Sequence, residues 1–315
     1  MKTKASKIKK YPLEKSPLYK LSNLRKIERI IGLNKYELDK ISKHITYNVF
    51  NIKKKDGRDR PVAAPNPYLK KIQRSLYNLL SRIEKPDWLI SGTKGKCYID
   101  NAKFHQTNQS QYALTLDIKD FYPNCTRKNV FMFLSGTMKM SDDVAGTLAD
   151  ILTYNSGIPV GSPASQLLAF FAYKGMFEGL SSLAYRYGCV FTVYVDDLAF
   201  SSKTPFNTKA LINDVVFILK INGHSIKRCK KRYYSKNEDK LFTGVVLVSD
   251  NSITVPNNLR LKIKNDKDQL IDFAEMPKQD KEKLKRRLQG RIVSARNIDS
   301  TVYPELIRAV KAIET

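Results

Sequence analysis

Acidic residues are in short supply in this chain. Its 315 residues hold 30 Asp and Glu against 56 Lys and Arg, a formal net charge of +26 at pH 7. A surplus of that size points to a polyanionic partner, nucleic acid first and a membrane surface second. Cysteine is scarce as well. Cys97, Cys125, Cys189 and Cys229 include no Cys-x-x-Cys pair, and the chain has three His, so a structural zinc site is not expected. Dispersed thiols fit a reducing cytosol better than a disulfide scaffold, and a cytoplasmic location is expected. Long apolar runs are also missing. Behind the basic start Met1-Lys2-Thr3-Lys4 there is no apolar segment, so no secretory signal is expected. The most apolar helical stretch, Leu167 to Leu183, is interrupted by Lys174 and Glu178. It reads as a buried helix and not as a bilayer span. There is no internal repeat, and no low-complexity tract beyond the Lys-rich ends.

What remains is 42% hydrophobic, enough for one sizeable core or a few packed subdomains. Residues 1–20 read as a basic arm. Helical spacing follows over 21–45, with a break at Gly32. Val49 to Pro65 reads as a hairpin turning at Asp56-Gly57. Leu69 to Ile83 is an amphipathic helix. Tyr112–Ile118 is an apolar strand, followed by helices over Lys128–Leu134 and Ser141–Leu152. After the Gly- and Pro-containing loop Tyr154–Pro163, one long helix is expected over Ala164–Tyr187. Strands are expected at Cys189–Val195 and Leu198–Ser201, a helix at Lys209–Leu219, and strand signals over Tyr233–Val248. From Asn258 the chain is helical and strongly basic, as in Lys281-Glu282-Lys283-Leu284-Lys285-Arg286-Arg287.

The chemistry is carried by carboxylates. In Tyr194-Val195-Asp196-Asp197-Leu198 two acids sit between apolar runs. Inside a strand they would point to opposite faces, and one would enter the core unpaired. A hairpin turn removes that cost and presents both acids at the end of a buried sheet. A second pair, Asp142-Asp143, follows Ser141 and opens a helical run. There the charge simply complements a helix N-terminus, so an Asp-Asp pair alone says little. Context comes from Leu114-Thr115-Leu116-Asp117, where another acid ends an apolar strand. Two such strands side by side would gather Asp117, Asp196 and Asp197. A cluster of this kind suits two Mg²⁺ ions about 3.5–4 Å apart.

These motifs, in this order, resemble reverse transcriptases. Tyr194-Val195-Asp196-Asp197 is similar to the family's Tyr-x-Asp-Asp box, and Asp117 matches its first acid. The resemblance runs from about Arg58 to Gly290. It implies an α+β right-hand polymerase, with fingers, an antiparallel palm sheet with helices, and a small helical thumb. The implied divisions are 1–50 (basic extension and helix), 51–110 (fingers), 111–250 (palm) and 251–315 (thumb). It implies two Mg²⁺ ions, or Mn²⁺ in their place, on Asp117, Asp196 and Asp197. Arg58 and Arg60 would grip the dNTP triphosphate. Tyr122, five positions after Asp117, would lie under the sugar and exclude a 2′-hydroxyl. Ile158-Pro159-Val160-Gly161 resembles the Pro-Gln-Gly loop with Val160 in place of Gln, leaving the backbone near Gly161 to serve the nucleotide. Lys230 or Lys231 would protonate the leaving pyrophosphate.

Asn101-Ala102-Lys103-Phe104-His105 and Phe242-Thr243-Gly244 look like two motifs of the retron branch of that family. That branch implies RNA contacts at Asn101, His105, Thr243 and Gly244, and a basic thumb gripping RNA through Lys285, Arg286, Arg287 and Arg291. It implies a cognate structured noncoding RNA, primed from a guanosine 2′-hydroxyl and copied into multicopy DNA, and an antiphage effector protein as partner. No membrane partner is implied. The alternatives are another bacterial reverse transcriptase (diversity-generating, intron-derived or abortive-infection type) or a noncatalytic RNA-binding scaffold.

Overall fold

The computed structural model describes residues 10–34, 37–43, 45–53, 57, 59–270 and 275–312. The N-terminal region carries two short helices, α1 (Leu24–Ile31) and α2 (Glu37–Lys43). Asn23 caps α1 by accepting from the Arg25 N–H, and Gly32 ends it in the left-handed region at φ +74°. The expected hairpin follows as β1 (Tyr47–Lys53) and β2 (Asp59–Pro65), antiparallel with Val49 opposite Ala63. Most of its tip lies outside the described residues, Arg58 included. Helix α3 (Pro67–Leu80) starts where Asn66 accepts from the Leu69 N–H and Pro67 presets the first turn. It buries Leu69, Ile72, Leu76 and Leu80.

Then come α4 (Tyr98–Thr107), β3 (Tyr112–Asp117), α5 (Phe121–Asn124), α6 (Arg127–Met132) and α7 (Asp142–Leu152). Asp142 and Asp143 lie in the first turn of α7, as expected of a pair that complements a helix start. The single helix expected over Ala164–Tyr187 is two, α8 (Ser165–Ala172) and α9 (Lys174–Arg186). Tyr173 leaves the helical region at φ −119°, ψ 24°. Its hydroxyl is held at a distance, donating to the Asn124 carbonyl and accepting from the Thr126 N–H. That anchor is tertiary, and helical periodicity carries no trace of it.

Strands β4 (Val190–Tyr194) and β5 (Asp197–Ser202) form a hairpin, followed by α10 (Thr208–Ile221) and β6 (Arg232–Tyr234). The central sheet runs β4-β5-β3-β6 and every pairing is antiparallel. Its two faces differ in kind. Leu114, Leu116, Phe191, Val193, Leu198 and Phe200 pack into the main core with the helices. Ala113 and Ala199 on the other face join a smaller cluster with Ile99 and Ala102 of α4, Phe242, Val245 and Leu247. Those last three come from a separate small sheet of β7 (Lys240–Phe242), β8 (Val245–Leu247) and β9 (Ile253–Thr254). The chain ends in α11 (Asn257–Asp268), α12 (Lys278–Ile298) and α13 (Pro304–Ala312), with a core of Ile263, Leu288, Ile292, Ala295 and Val310. No described helix is long and apolar enough to cross a membrane.

Candidate active site

The three acids meet at one end of the central sheet. Asp117 closes β3, Asp197 opens β5, and the two are direct partners across the antiparallel ladder. Asp196 occupies the two-residue turn between β4 and β5, and its carbonyl accepts from the Ile118 N–H at 2.8 Å. The turn demands an unusual backbone. Val195 sits at φ +63°, a conformation that β-branched residues rarely adopt. The Val195 N–H donates to Ser91 Oγ at 2.9 Å, which helps hold it there. Such strain costs of order 1–3 kcal/mol and persists only where the surroundings impose it.

The electrostatics are those of a site short of positive charge. Burial raises the pKa of Asp196, and the Asp117 charge raises it further. Burial, then the Asp196 charge, pushes Asp197 up to about 7. Lys230 answers part of this by an ion pair with Asp117. Burial alone would lower the Lys230 pKa, but the Asp117 hydrogen bond and the field of the three acids outweigh it and raise it. Lys230 lies in a helical turn, Arg228–Lys230, whose neighbour Lys227 donates its N–H to the Asp117 carbonyl at 2.7 Å. Of the two candidate lysines, Lys230 is the one that pairs with an acid, Asp117.

Above the acids opens a cleft of about 680 Å³. Arg60, Asp117, Tyr122, Val160, Asp196 and Lys230 all line it, so two of the expected nucleotide residues, Arg60 and Tyr122, share one cavity with two of the acids. Tyr122 is half-buried, and burial reinforced by Asp196 raises its phenol pKa. Gly161 sits at φ +129° beside β2, where a Cβ would lie 2.8 Å from the Ala63 carbonyl oxygen. The neighbouring Val160 carbonyl accepts from the Ala63 N–H at 2.9 Å. Gly161 thus lets the loop dock against the hairpin that carries Arg60. The donor set suits Mg²⁺, since all three acids offer hard oxygens and carry negative charge that nearby side chains do not balance. Among the described residues no three Asp, Glu, His or Cys side chains already close on one metal position; the Lys230 ammonium holds Asp117 instead.

Two expected RNA contacts need correction. Asn101 and His105 are buried, at 1% and 0% exposure, so neither side chain has surface to offer RNA. Asn101 donates to Thr243 Oγ1 at 2.6 Å, and the His105 ring stacks on Phe242 with centroids 4.2 Å apart. The two motifs therefore bind each other. Gly244, at the tip of the β7–β8 turn, is exposed with open space around it. In the C-terminal helices Arg287 and Arg291 both pair with buried Asp266, so much of their donor capacity is spent inside the protein. Arg286 is more exposed and pairs with Glu282 on its own helix. The sequence reading missed Thr192 and Ser201, the partners of the His105 ring. Polar residues within apolar strands were the available signal.

The family described as reverse transcriptase (RNA-dependent DNA polymerase) matches residues 52–247. The Retron Se72 reverse transcriptase of Salmonella heidelberg is 26% identical over 186 residues, 58% of this chain and 48% of that protein. This chain thus spans about half the length of that relative. The Retron Ec73 reverse transcriptase of Escherichia coli is 23% identical over 274 residues, 82% of this chain and 85% of that protein. Among solved structures, telomerase from Candida albicans in complex with a fragment of telomeric RNA superimposes with TM-score 0.52 at 10% identity, covering 88% of this chain and 66% of that one. Apo telomerase from Candida tropicalis gives 0.51 at 12% identity, covering 69% and 51%. At these identities the structural likeness concerns the fold alone, and the fold is the α+β polymerase class expected from the sequence.

Proposed function

Because the chain belongs to the reverse transcriptase (RNA-dependent DNA polymerase) family, we propose that it is an RNA-directed DNA polymerase of the retron type. It binds a cognate structured noncoding RNA, primes from the 2′-hydroxyl of a guanosine within it, and copies part of it into multicopy single-stranded DNA. It works in the cytoplasm with an antiphage effector protein. The observation that carries the chemistry is a cleft lined by Asp117, Asp196, Arg60, Tyr122 and Lys230, with Asp197 paired to Asp117 across the ladder beneath it. Residues 1–50 form the N-terminal extension, 51–110 the fingers, 111–250 the palm and 251–315 the thumb.

Asp117, Asp196 and Asp197 would hold two Mg²⁺ ions, or Mn²⁺ in their place. When bound, these supply a lowered pKa at the attacking hydroxyl and charge neutralisation at the leaving pyrophosphate. Arg60, with Arg58, grips the triphosphate. Tyr122 lies under the sugar and excludes a 2′-hydroxyl. Lys230, whose neighbours keep it protonated, gives its proton to the departing pyrophosphate. The Thr243-Gly244 turn and the basic helices around Lys285 and Arg286 contact RNA by backbone and phosphate, as suits A-form shape recognition.

The test is twofold. Asp196→Asn with Asp197→Asn should abolish Mg²⁺-dependent dNTP incorporation and leave RNA binding intact; full incorporation by that double variant refutes the chemistry. Nucleic acid co-purified with the wild type should contain a 2′,5′-branched RNA–DNA species, and its absence refutes the retron assignment. Tyr122→Ala should admit rNTPs, and unchanged sugar selectivity would remove its gating role.

A further inference from the structure

On the sheet face that carries Asp117 and Asp197, a run of buried hydroxyls, an imidazole and an amide is closed into one hydrogen-bond chain. Asn101 gives its Nδ2–H to Thr243 Oγ1 at 2.6 Å and accepts on Oδ1 from the Thr192 hydroxyl at 2.5 Å. That spends the only proton of Thr192. Its oxygen must therefore accept from His105 Nε2–H, 2.8 Å away. The neutral ring then accepts on Nδ1 from Ser201 at 2.6 Å, and Ser201 in turn accepts from Ser110 at 2.6 Å. Once the Asn101 amide is placed, every proton in the chain has one position. All but Thr243 are buried. Buried polar groups so fully satisfied rigidify what they join.

What they join is the hairpin of the acids. Thr192 is on β4 and Ser201 on β5, and both strands run directly into the Val195-Asp196 turn. Alternation places Ser201, Ala199 and Asp197 on one face of β5. Ser201 lies four residues from Asp197, roughly 13 Å along the strand. The β4–β5 register on that face, Thr192 opposite Ala199 and Tyr194 opposite Asp197, is thereby gripped from α4.

We propose that His105 and Thr192 are positioning residues for the acid hairpin: they lock β4 and β5 to α4 so that Asp196 and Asp197 keep the spacing a pair of divalent cations requires. Through Asn101 the same chain fixes Thr243, which is held at φ +47°, and so ties the exposed Thr243-Gly244 turn to the acids. The kinetic form of this inference rests on the polymerase reading above.

Thr192→Val is the decisive variant, because it keeps the shape and removes the hydroxyl. At temperatures where the variant is folded, kcat for primer extension should fall about tenfold with dNTP KM unchanged, as expected for misplaced groups. The Mg²⁺ concentration for half-maximal rate should rise several-fold. His105→Gln keeps one donor and one acceptor, so its kcat should lie between wild type and His105→Ala. Ile27→Val, a core truncation in α1, serves as a control for stability loss alone. Wild-type kcat and Mg²⁺ requirement in Thr192→Val, or losses that merely track melting temperature as in Ile27→Val, overturn the proposal. The Mg²⁺-induced rise in Tm needs no turnover. A smaller rise in Thr192→Val than in wild type supports the positioning role, and an equal rise overturns it. A wild type that extends no primer defeats the polymerase reading separately, with this thermal result still deciding the role of the chain.

Discussion

Asp266 in the C-terminal helices and the acids at the end of the central sheet are two treatments of the same problem. Each puts carboxylate where water is scarce. Asp266 is 2% exposed and is met by two guanidinium groups, Arg287 and Arg291, one turn apart on α12. Asp117, Asp196 and Asp197 share one ammonium, Lys230, which bonds to Asp117. The first acid is balanced by its own chain, two cations to one anion. The second group is left with burial, and then mutual repulsion, that raises Asp196 and Asp197. A balanced buried charge specifies packing. An unbalanced one, at the floor of a cleft, is a standing demand for a cation from outside.

The comparison breaks if the two sites respond alike to neutralisation. Asp197→Asn should remove essentially all Mg²⁺-dependent polymerisation, a loss of 10³-fold or more at a site of this kind, and should leave the metal-free fold equally or more stable. Asp266→Asn should do the reverse. Stripping one partner from a buried ion cluster costs about 3–5 kcal/mol, here reduced to about 2–3 kcal/mol because both guanidinium groups keep some contact with water. Thermal melts should show Asp266→Asn lowered by about 4–8 °C, with polymerisation retained at temperatures where it is folded. Equal melting temperatures for the two variants would erase the distinction drawn here.

How much of this could be read from the sequence depends on whether the cause was local. The acids were legible because a carboxylate at the end of an apolar strand is costly, and the two strands that end this way pair with Asp117 opposite Asp197. The distinction between Asp142-Asp143 and Asp196-Asp197 was legible for the same reason, one pair opening α7 and the other turning a hairpin. Asn101 and His105 were singled out, but their direction was not. Whether a polar residue on a helix faces solvent or core depends on what packs against it, and α4 is covered by β4 and by the β7–β8 hairpin. Arg287 and Arg291 were expected to grip RNA, and their four-residue spacing shows only a shared helix face. It could not reveal an acid on α11 that the fold brings opposite. Lys230 was separated from Lys231 only by the short turn that aims it at Asp117.

The smallest effect sharpens the comparison most, because it reads the imbalance without any reaction. The folded-state pKa of Asp197, about 7, lies above the unfolded value of about 3.9. Between those limits the metal-free fold holds a proton at Asp197 that the unfolded chain has released. Its contribution to stability is therefore complete below about pH 4, is lost as pH rises, and is gone above about pH 7. Buried His105, whose pKa is pushed down to about 3 by desolvation, works in the opposite sense as pH falls below about 6.5. The wild-type profile thus mixes the two, and the informative quantity is the difference between variant and wild type. In EDTA, the Tm advantage of Asp197→Asn over wild type should be near zero at pH 4 and grow to about 2–4 °C at pH 8. Added Mg²⁺ should remove that advantage at pH 8 by stabilising the wild type alone. An advantage independent of pH would mean that Asp197 is no more strained by its neighbours than Asp266 is by its two arginines.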